Sequence, residues 1–345
     1  MKLFACRCGN LVHFENDRCI ACEAQLAFAP ERDTMLAFDA GPPADYRPCK
    51  NGLDFQACNW LVFSVDDVDL CKACRLNEVI PDLSDEDGRV AWLKIENAKR
   101  RLVYTLLSWR LPIVSKSEDP VHGLGFSFLR QLEGGPPVLT GHENGLITLD
   151  IAEADDPFRE NARRNMGETY RTLLGHFRHE SGHYYWERLV RDDLSLLAAF
   201  RGLFGDESVP YAGALKSHYG SGKHAGWEAE HVSAYGAAHP WEDWAETWAH
   251  YLHMWDTMET AQAFGLSLAP RLPAIVKDQP TLSASKDVSP RSFDQLLAGW
   301  PALTLAINGL NRSMGLRDAY PFAPSEKVVT KLRFVHELVA RFRLP

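Results

Sequence analysis

The motif in this sequence best suited to chemistry carries two histidines four residues apart. It reads HESGH at residues 179–183, inside a proline-free stretch whose composition favours a helix. On a helix, residues i and i+4 lie one turn apart on the same face, so His179 and His183 can both reach one zinc ion. Glu180 lies beside them and can accept a proton from the attacking water. The motif therefore predicts a hydrolytic zinc centre.

A catalytic zinc needs a third protein ligand, and the stretch 234–253 offers one. The longer HExxHxxGxxH motif is excluded, because Leu189 stands where its third histidine would be. Glu242 and Glu246 form another i, i+4 pair on a predicted helix. We predict that Glu242 binds the metal and that Glu246 accepts a hydrogen bond from His179 and so sets its tautomer. Other residues of this stretch stay open as the third ligand: Asp243, His250 and His253.

Hydrolysis also needs a donor that stabilises the negative charge developing on the attacked carbonyl oxygen. Tyr235, seven residues before Glu242, is the predicted donor, with His231 and Tyr251 as alternatives. The stretch 242–253 has a competing interpretation as an ordinary amphipathic helix with an acidic first turn. His176 is interpreted as a supporting or core histidine rather than a ligand.

All eight cysteines lie within the first 74 residues, in closely spaced pairs. In a reducing compartment such clustering favours metal binding over disulfides. We predict two structural zinc sites with four cysteine ligands each, paired in sequence order, although an interleaved pairing stays open. The first site would use Cys6, Cys8, Cys19 and Cys22. The second would use Cys49, Cys58, Cys71 and Cys74.

The composition of the 345 residues is that of an ordinary globular protein, with 46% hydrophobic residues and a net charge of −9. The negative charge gives no general attraction to nucleic acid, and no apolar run is long enough to cross a membrane. The N-terminus lacks the apolar segment of a signal peptide, so we expect a cytoplasmic protein.

The pattern of apolar residues predicts the elements that position these motifs. Residues 86–109 and a C-terminal segment capped by Ser325 show helical spacing. The runs 121–129 and 145–151 favour strands. The general layout of zincins, rather than periodicity, places the second as an exposed edge strand above the active helix. Residues 277–291 favour a loop. We place a domain boundary near residue 81.

Several stretches together resemble the zinc-binding metallopeptidases that carry an N-terminal zinc-ribbon-like domain, a bacterial family. The matching stretches include FENDRCIACEAQLAF, TGHENGLITLDIAEADD, YRTLLGHFRHESGHYYWERLV and SAYGAAHPWEDWAETWAHYLH. The catalytic part is similar to the gluzincins. Their HExxH motif falls on His179, Glu180 and His183, their distant glutamate ligand falls on Glu242, and their acidic residue four positions later falls on Glu246. The long gap between His183 and Glu242 leaves room for an inserted helical pair at 192–220.

The resemblance implies an α+β protein. A small Cys-rich zinc-ribbon-like module (1–80) would be followed by a mainly helical zincin-like, gluzincin-like metallopeptidase domain with a small β-sheet (81–345). It implies one catalytic and two structural Zn²⁺ ions and a peptide or protein substrate. We expect no membrane or nucleic-acid partner, while a protein partner of the zinc module stays open. A non-catalytic zinc scaffold and a hydrolase of non-peptide amides are the alternatives.

Overall fold

The computed structural model describes residues 1–165, 170–221, 226–271, 280–285 and 292–344. The chain forms two compact units. The first comprises Lys2–Asn161 with Arg343–Pro345, and the second comprises Ala162–Phe342 with Met1. The predicted loop 277–291 lies outside the described residues except for 280–285. The predicted division at residue 81 stays a prediction about domains.

The N-terminal part of the first unit is built from three short antiparallel strand pairs and one short helix. Turns at the closely spaced cysteines interrupt the chain and keep these strands short. The pairs are β1 (Phe4–Ala5) with β2 (Leu11–Val12), β3 (Gln25–Ala29) with β4 (Thr34–Phe38), and β5 (Tyr46–Pro48) with β6 (Leu61–Phe63). Helix α1 (Lys50–Phe55) follows β5.

Helix α2 (Glu86–Ser108) packs against this part of the first unit, and it confirms the helix predicted at 86–109. Its N-cap Asp85 accepts a hydrogen bond from the backbone N of Gly88 at 3.1 Å. Tyr104 of α2 joins an aromatic cluster with Phe14 and Phe28, at ring-centroid distances of 4.9 and 5.6 Å. This cluster gives a cysteine-rich segment an apolar core of its own.

A four-stranded sheet completes the first unit, in the order β7-β8-β10-β9. Strand β8 is parallel to both β7 and β10, whereas β9 is antiparallel to β10. The prediction that residues 145–151 form an edge was wrong, because β10 has a hydrogen-bonded neighbour on each side. The strands are β7 (Asn77–Val79), β8 (Gly125–Leu129), β9 (Gly141–Glu143) and β10 (Leu146–Asp150).

The second unit is mainly helical, so the chain as a whole is an α+β protein. Helix α3 (Asp156–Asn165) runs from the first unit into the second. The helices that follow are α4 (Leu173–Leu189), α5 (Leu194–Phe204), α6 (Tyr211–Ser221), α7 (Pro240–Ala263), α8 (Phe293–Ser313) and α9 (Glu326–Arg341).

The predicted C-terminal helix and the predicted helical pair are both present. Ser325 caps α9, accepting a hydrogen bond from the backbone N of Val328 at 3.3 Å. The apolar face of α9 is buried, as its periodicity predicted. Helices α5 and α6 occupy the interval predicted at 192–220. Among the described residues, no helix is both long and apolar enough to span a bilayer.

Candidate metallopeptidase active site

Helix α4 carries the histidine pair on its buried face. It begins after Thr172, whose hydroxyl accepts a hydrogen bond from the backbone N of Gly175 at 2.9 Å. No proline interrupts the helix, so the i, i+4 relation holds and the rings of His179 and His183 lie 5.0 Å apart. The two imidazoles therefore face one common position.

Helix α7 brings Glu242 to the same position. Pro240 occupies the first turn, where its missing N–H costs nothing, and Glu242 follows near the positive end of the helix dipole. Its Oε2 lies 2.9 Å from Nε2 of His179 and 3.6 Å from Nε2 of His183. This oxygen is buried, and the two imidazoles face it.

The donor set suits a zinc ion. Two imidazole nitrogens and one carboxylate oxygen lie within 4.8 Å of one another. Tetrahedral zinc with ligands at about 2.0–2.1 Å requires ligand atoms about 3.4 Å apart, close to the distances measured. A cation between the three groups would also satisfy the buried Oε2 of Glu242. Among the described residues, no fourth cysteine, histidine or carboxylate joins this group.

The three alternative ligands are directed elsewhere. The carboxylate of Asp243 contacts the ammonium group of Lys331 at 2.5 Å, so its charge is already paired. His250 hydrogen-bonds the hydroxyl of Tyr320, and His253 hydrogen-bonds the guanidinium of Arg178. Burial lowers the pKa of both histidines, to about 4 for His250, and keeps them neutral.

Glu246 lies one turn after Glu242 and contacts the opposite nitrogen of His179. Its Oε1 is 2.6 Å from Nδ1 of that ring. A proton held on Nδ1 leaves the lone pair of Nε2 directed towards the metal position. Burial lowers the pKa of His179, but the Glu242 and Glu246 carboxylates outweigh it and raise the pKa well above its ordinary value. The paired carboxylates thus create strongly negative surroundings that a metal cation would neutralise.

Glu180 is buried on α4, the helix that carries His179 and His183. Its Oε1 lies 3.3 Å from Nε2 of His176, one turn earlier. Burial raises the pKa of Glu180, but the contact with His176 and the charges of His179 and His183 lower it to about 2. The side chain is therefore an ionised carboxylate, the form that can accept a proton.

The predicted oxyanion donors take up different positions. The ring centroid of Tyr235 lies 5.9 Å from that of His179, which places it at the site. His231 is turned towards Asp243, with Nδ1 at 3.1 Å from the carboxylate. The hydroxyl of Tyr251 lies 2.8 Å from Nδ1 of His336 on α9. Of the three, Tyr235 is next to a ligand histidine.

Close packing of α4 on α7 holds His179, His183 and Glu242 together. The indole N–H of Trp244 donates to the carbonyl of Gly182 at 2.8 Å, and that of Trp248 donates to the hydroxyl of Ser181 at 3.1 Å. A Cβ atom on Gly182 would lie only 2.9 Å from Cα of Ala245. Glycine at this position therefore lets the two backbones approach closely.

Tyr211 is a site residue that the sequence analysis missed. Its hydroxyl donates to Oε1 of Glu242 at 2.6 Å. It lies at the start of α6, 31 residues before Glu242, so no spacing rule connects the two. The hint in the sequence was Pro210, which marks a helix start but not the direction of the next side chain.

The eight cysteine sulfurs come together in two groups that follow the sequence order. In each group the sulfur atoms lie within 4.8 Å of one another. Sulfur–sulfur distances are 3.6 Å for Cys6–Cys22 and 3.7 Å for Cys58–Cys71. Tetrahedral zinc with Zn–S bonds of about 2.3 Å requires about 3.8 Å. Both groups therefore fit a four-thiolate zinc site, including the first, in which only one residue separates Cys6 from Cys8.

The two cysteine groups differ in burial and in nearby charge. Cys8 and Cys22 of the first group are exposed, whereas most of the second group is buried. The second group lies beside Arg100 of α2, a buried residue that hydrogen-bonds the carbonyl of Ala57. Burial lowers the pKa of Arg100, but negative charge on Cys58, Glu96 and the neighbouring cysteines raises it above its ordinary value. This guanidinium would offset part of the negative charge of a four-thiolate metal site.

Comparison with known families agrees with this geometry. The family described as "Putative zinc-binding metallo-peptidase" matches residues 88–338, and a zinc-ribbon domain family matches residues 3–85. The chain belongs to this metallopeptidase family. The zinc-binding description of the family and the match to a zinc-ribbon domain agree with the cysteine and histidine groups of the structure.

The relatives are proteins of mycobacteria. Uncharacterised proteins of Mycobacterium tuberculosis and Mycobacterium bovis are each 42% identical over 340 residues, covering 98% of this chain and 95% of theirs. The similarity extends through both the cysteine-rich segment and the helical unit. No solved structure matches the chain.

Proposed function

We propose that the protein is a zinc-dependent peptidase of the gluzincin type that hydrolyses peptide bonds. The observation that carries the proposal is the convergence of His179, His183 and Glu242 with an ionised Glu180 beside them. A structural zinc site would use four protein ligands and would have no need of a base. Three donors, an open position and a carboxylate base are the set that metal-assisted hydrolysis requires.

Each side chain has one role in the proposed reaction. When bound, zinc would supply Lewis-acid chemistry that polarises the scissile carbonyl and makes water more acidic. Glu180 accepts the proton of the attacking water and passes it to the leaving amine. Tyr235 donates a hydrogen bond to the carbonyl oxygen as negative charge develops on it. Glu246 keeps His179 in the tautomer and orientation that the site needs.

Counting zinc tests the site without knowledge of the substrate. We propose three zinc ions per chain, one held by His179, His183 and Glu242 and two by the cysteine groups. Purified wild-type protein should contain three, and the Glu242→Ala variant about two. Three ions in both proteins would refute Glu242 as a ligand. Two in a metal-repleted wild type would favour the non-catalytic scaffold.

Glu180→Gln tests catalysis itself. The change removes the proton acceptor but keeps the size of the side chain, so zinc should stay at the wild-type level while hydrolysis is lost. Glu187→Gln on α4 is the matched control, because Glu187 faces Arg191 instead of the ligands. A proteome-derived peptide library read by mass spectrometry reports cleavage. Cleavage by Glu180→Gln at the wild-type rate would refute the mechanism.

A further inference from the structure

The two oxygens of the Glu242 carboxylate have separate partners. Oε2 faces the Nε2 atoms of His179 and His183, at 2.9 and 3.6 Å. Oε1 accepts a hydrogen bond from the hydroxyl of Tyr211 at 2.6 Å. The Glu242 side chain is only 1% exposed, so bulk solvent competes little with these partners. The rotation of this carboxylate is therefore set by protein groups.

The side chain of Tyr211, at the start of α6, packs against residues at the start of α7. Its ring contacts the rings of His239 and Trp241 edge-on, at centroid distances of 5.2 and 6.1 Å. Nδ1 of His239 accepts a hydrogen bond from the backbone N of Trp241 at 3.1 Å, so its proton is on Nε2. That nitrogen donates to the carbonyl of Val209 at 3.0 Å. The chain entering α6 is thus tied to the helix that carries Glu242.

We propose that Tyr211 is a positioning residue that makes Glu242 a one-oxygen metal ligand. With Oε1 engaged by the phenol, Oε2 alone is directed between the two histidines. The protein then supplies three donor atoms and keeps a position open, as catalytic zinc sites do. This inference rests on the proposed function, because it requires that His179, His183 and Glu242 bind the metal.

Loss of the phenol hydroxyl should loosen this arrangement. In a Tyr211→Phe variant, Oε1 of Glu242 is a buried acceptor without its donor, and the carboxylate is free to rotate. Changes to the groups that orient metal ligands typically weaken metal binding about 10- to 100-fold. We therefore expect the zinc dissociation constant of this site to rise at least about 10-fold. The visible absorption of Co²⁺ bound at the site should change as well, because the carboxylate would present a different number of oxygens.

The test compares Tyr211→Phe with Tyr219→Phe in the full-length protein. Tyr219 lies on the same helix and is 57% exposed as a residue, so its variant controls for removal of one phenol hydroxyl. Dipicolinate removes the more weakly held metal while the cysteine sites stay loaded. Zinc is then returned in competition with a chelating dye, and Co²⁺ is returned for spectroscopy.

The result that supports the inference is weaker zinc binding and an altered Co²⁺ spectrum in Tyr211→Phe, with Tyr219→Phe like the wild type. Wild-type affinity and spectrum in Tyr211→Phe would overturn it, even if turnover falls, because the hydroxyl would then act on the substrate. A different result would refute the proposed function: the wild type itself would take up no zinc after dipicolinate treatment. That result would also refute the role of Tyr211. If the wild type takes up zinc and Tyr211→Phe binds it with the same affinity and Co²⁺ spectrum, only the inference about Tyr211 is refuted.

Discussion

Gly182→Ala should separate the two helices that share the metal ligands. The added Cβ would lie 2.9 Å from Cα of Ala245 and 3.2 Å from Cβ of Trp248. Carbon atoms in contact prefer about 3.5–4.0 Å, so α4 and α7 must move apart by roughly 0.6–1 Å. Metal–ligand distances tolerate only about 0.2 Å of change. Because His179 is on one helix and Glu242 on the other, the metal position should lose its geometry.

The stability cost of Gly182→Ala has two opposing parts. Alanine in place of glycine favours a helix by about 1 kcal/mol, while overpacking in a well-filled contact costs about 1–3 kcal/mol. Gly202→Ala on α5 is the matched control, because nothing lies within 4 Å of its added Cβ. The control should gain about 1 kcal/mol of stability. Gly182→Ala should therefore be less stable than Gly202→Ala by about 1–3 kcal/mol.

Two measurements decide this prediction. Thermal unfolding of chelator-treated protein compares the two variants without any contribution from the metal. Competition with a chelating dye then measures zinc binding, which we expect to weaken at least about 10-fold in Gly182→Ala alone. If Gly182→Ala were as stable as Gly202→Ala and held zinc as tightly as the wild type, the close approach of the helices would have no role in the site.

Three further predictions address the surroundings of the metal position. Glu246→Gln should weaken zinc binding about 10- to 100-fold, because the histidine ligand loses its charged acceptor, and unchanged dye-competition affinity would refute this. Lys331→Met leaves the buried Asp243 carboxylate without its lysine cation, so the free energy of unfolding should fall by about 3–5 kcal/mol. The control is Lys327→Met, which removes an ion pair whose lysine side chain is 64% exposed, and it should change the melting temperature little. Equal losses of stability in the two lysine variants would contradict the reasoning. Burial lowers the pKa of His250 to about 4. The unfolded chain therefore takes up a proton there as pH falls from about 6.5 towards 4, and stability falls by up to about 3 kcal/mol. His250→Phe should remove this loss in urea unfolding measured across that pH range, whereas an equally steep loss would exclude His250 as its source.

Local patterns predicted the parts of the molecule that depend on neighbouring residues. The spacing of the HESGH motif places both imidazoles on one face of any helix, and the structure forms that helix. Apolar periodicity predicted α2 and α9, the latter with Ser325 as its cap. The closely spaced cysteine pairs likewise predicted tight turns. Their spacing left open which pairs share a metal site.

Longer-range arrangements were beyond these patterns. Residues 145–151 were correctly predicted as a strand, but its central place in the sheet depends on β8 and β9, which approach from both sides. The hydrogen bond from Tyr211 to Glu242 joins residues 31 positions apart, and it depends on where the start of α6 lies relative to α7. No periodicity within one segment encodes the position of another.

The sequence by itself determined which residue types could form a metal site and which pairs of them share a helix face. It could not separate Glu242 from Asp243, because adjacent carboxylates in one helical turn have nearly the same local pattern. Tertiary packing separates them. Helix α4 presents two imidazoles to Glu242, while Lys331, 88 residues away on α9, pairs with Asp243. Adjacent helix residues point about 100° apart, so the surrounding helices decide which carboxylate meets the histidines.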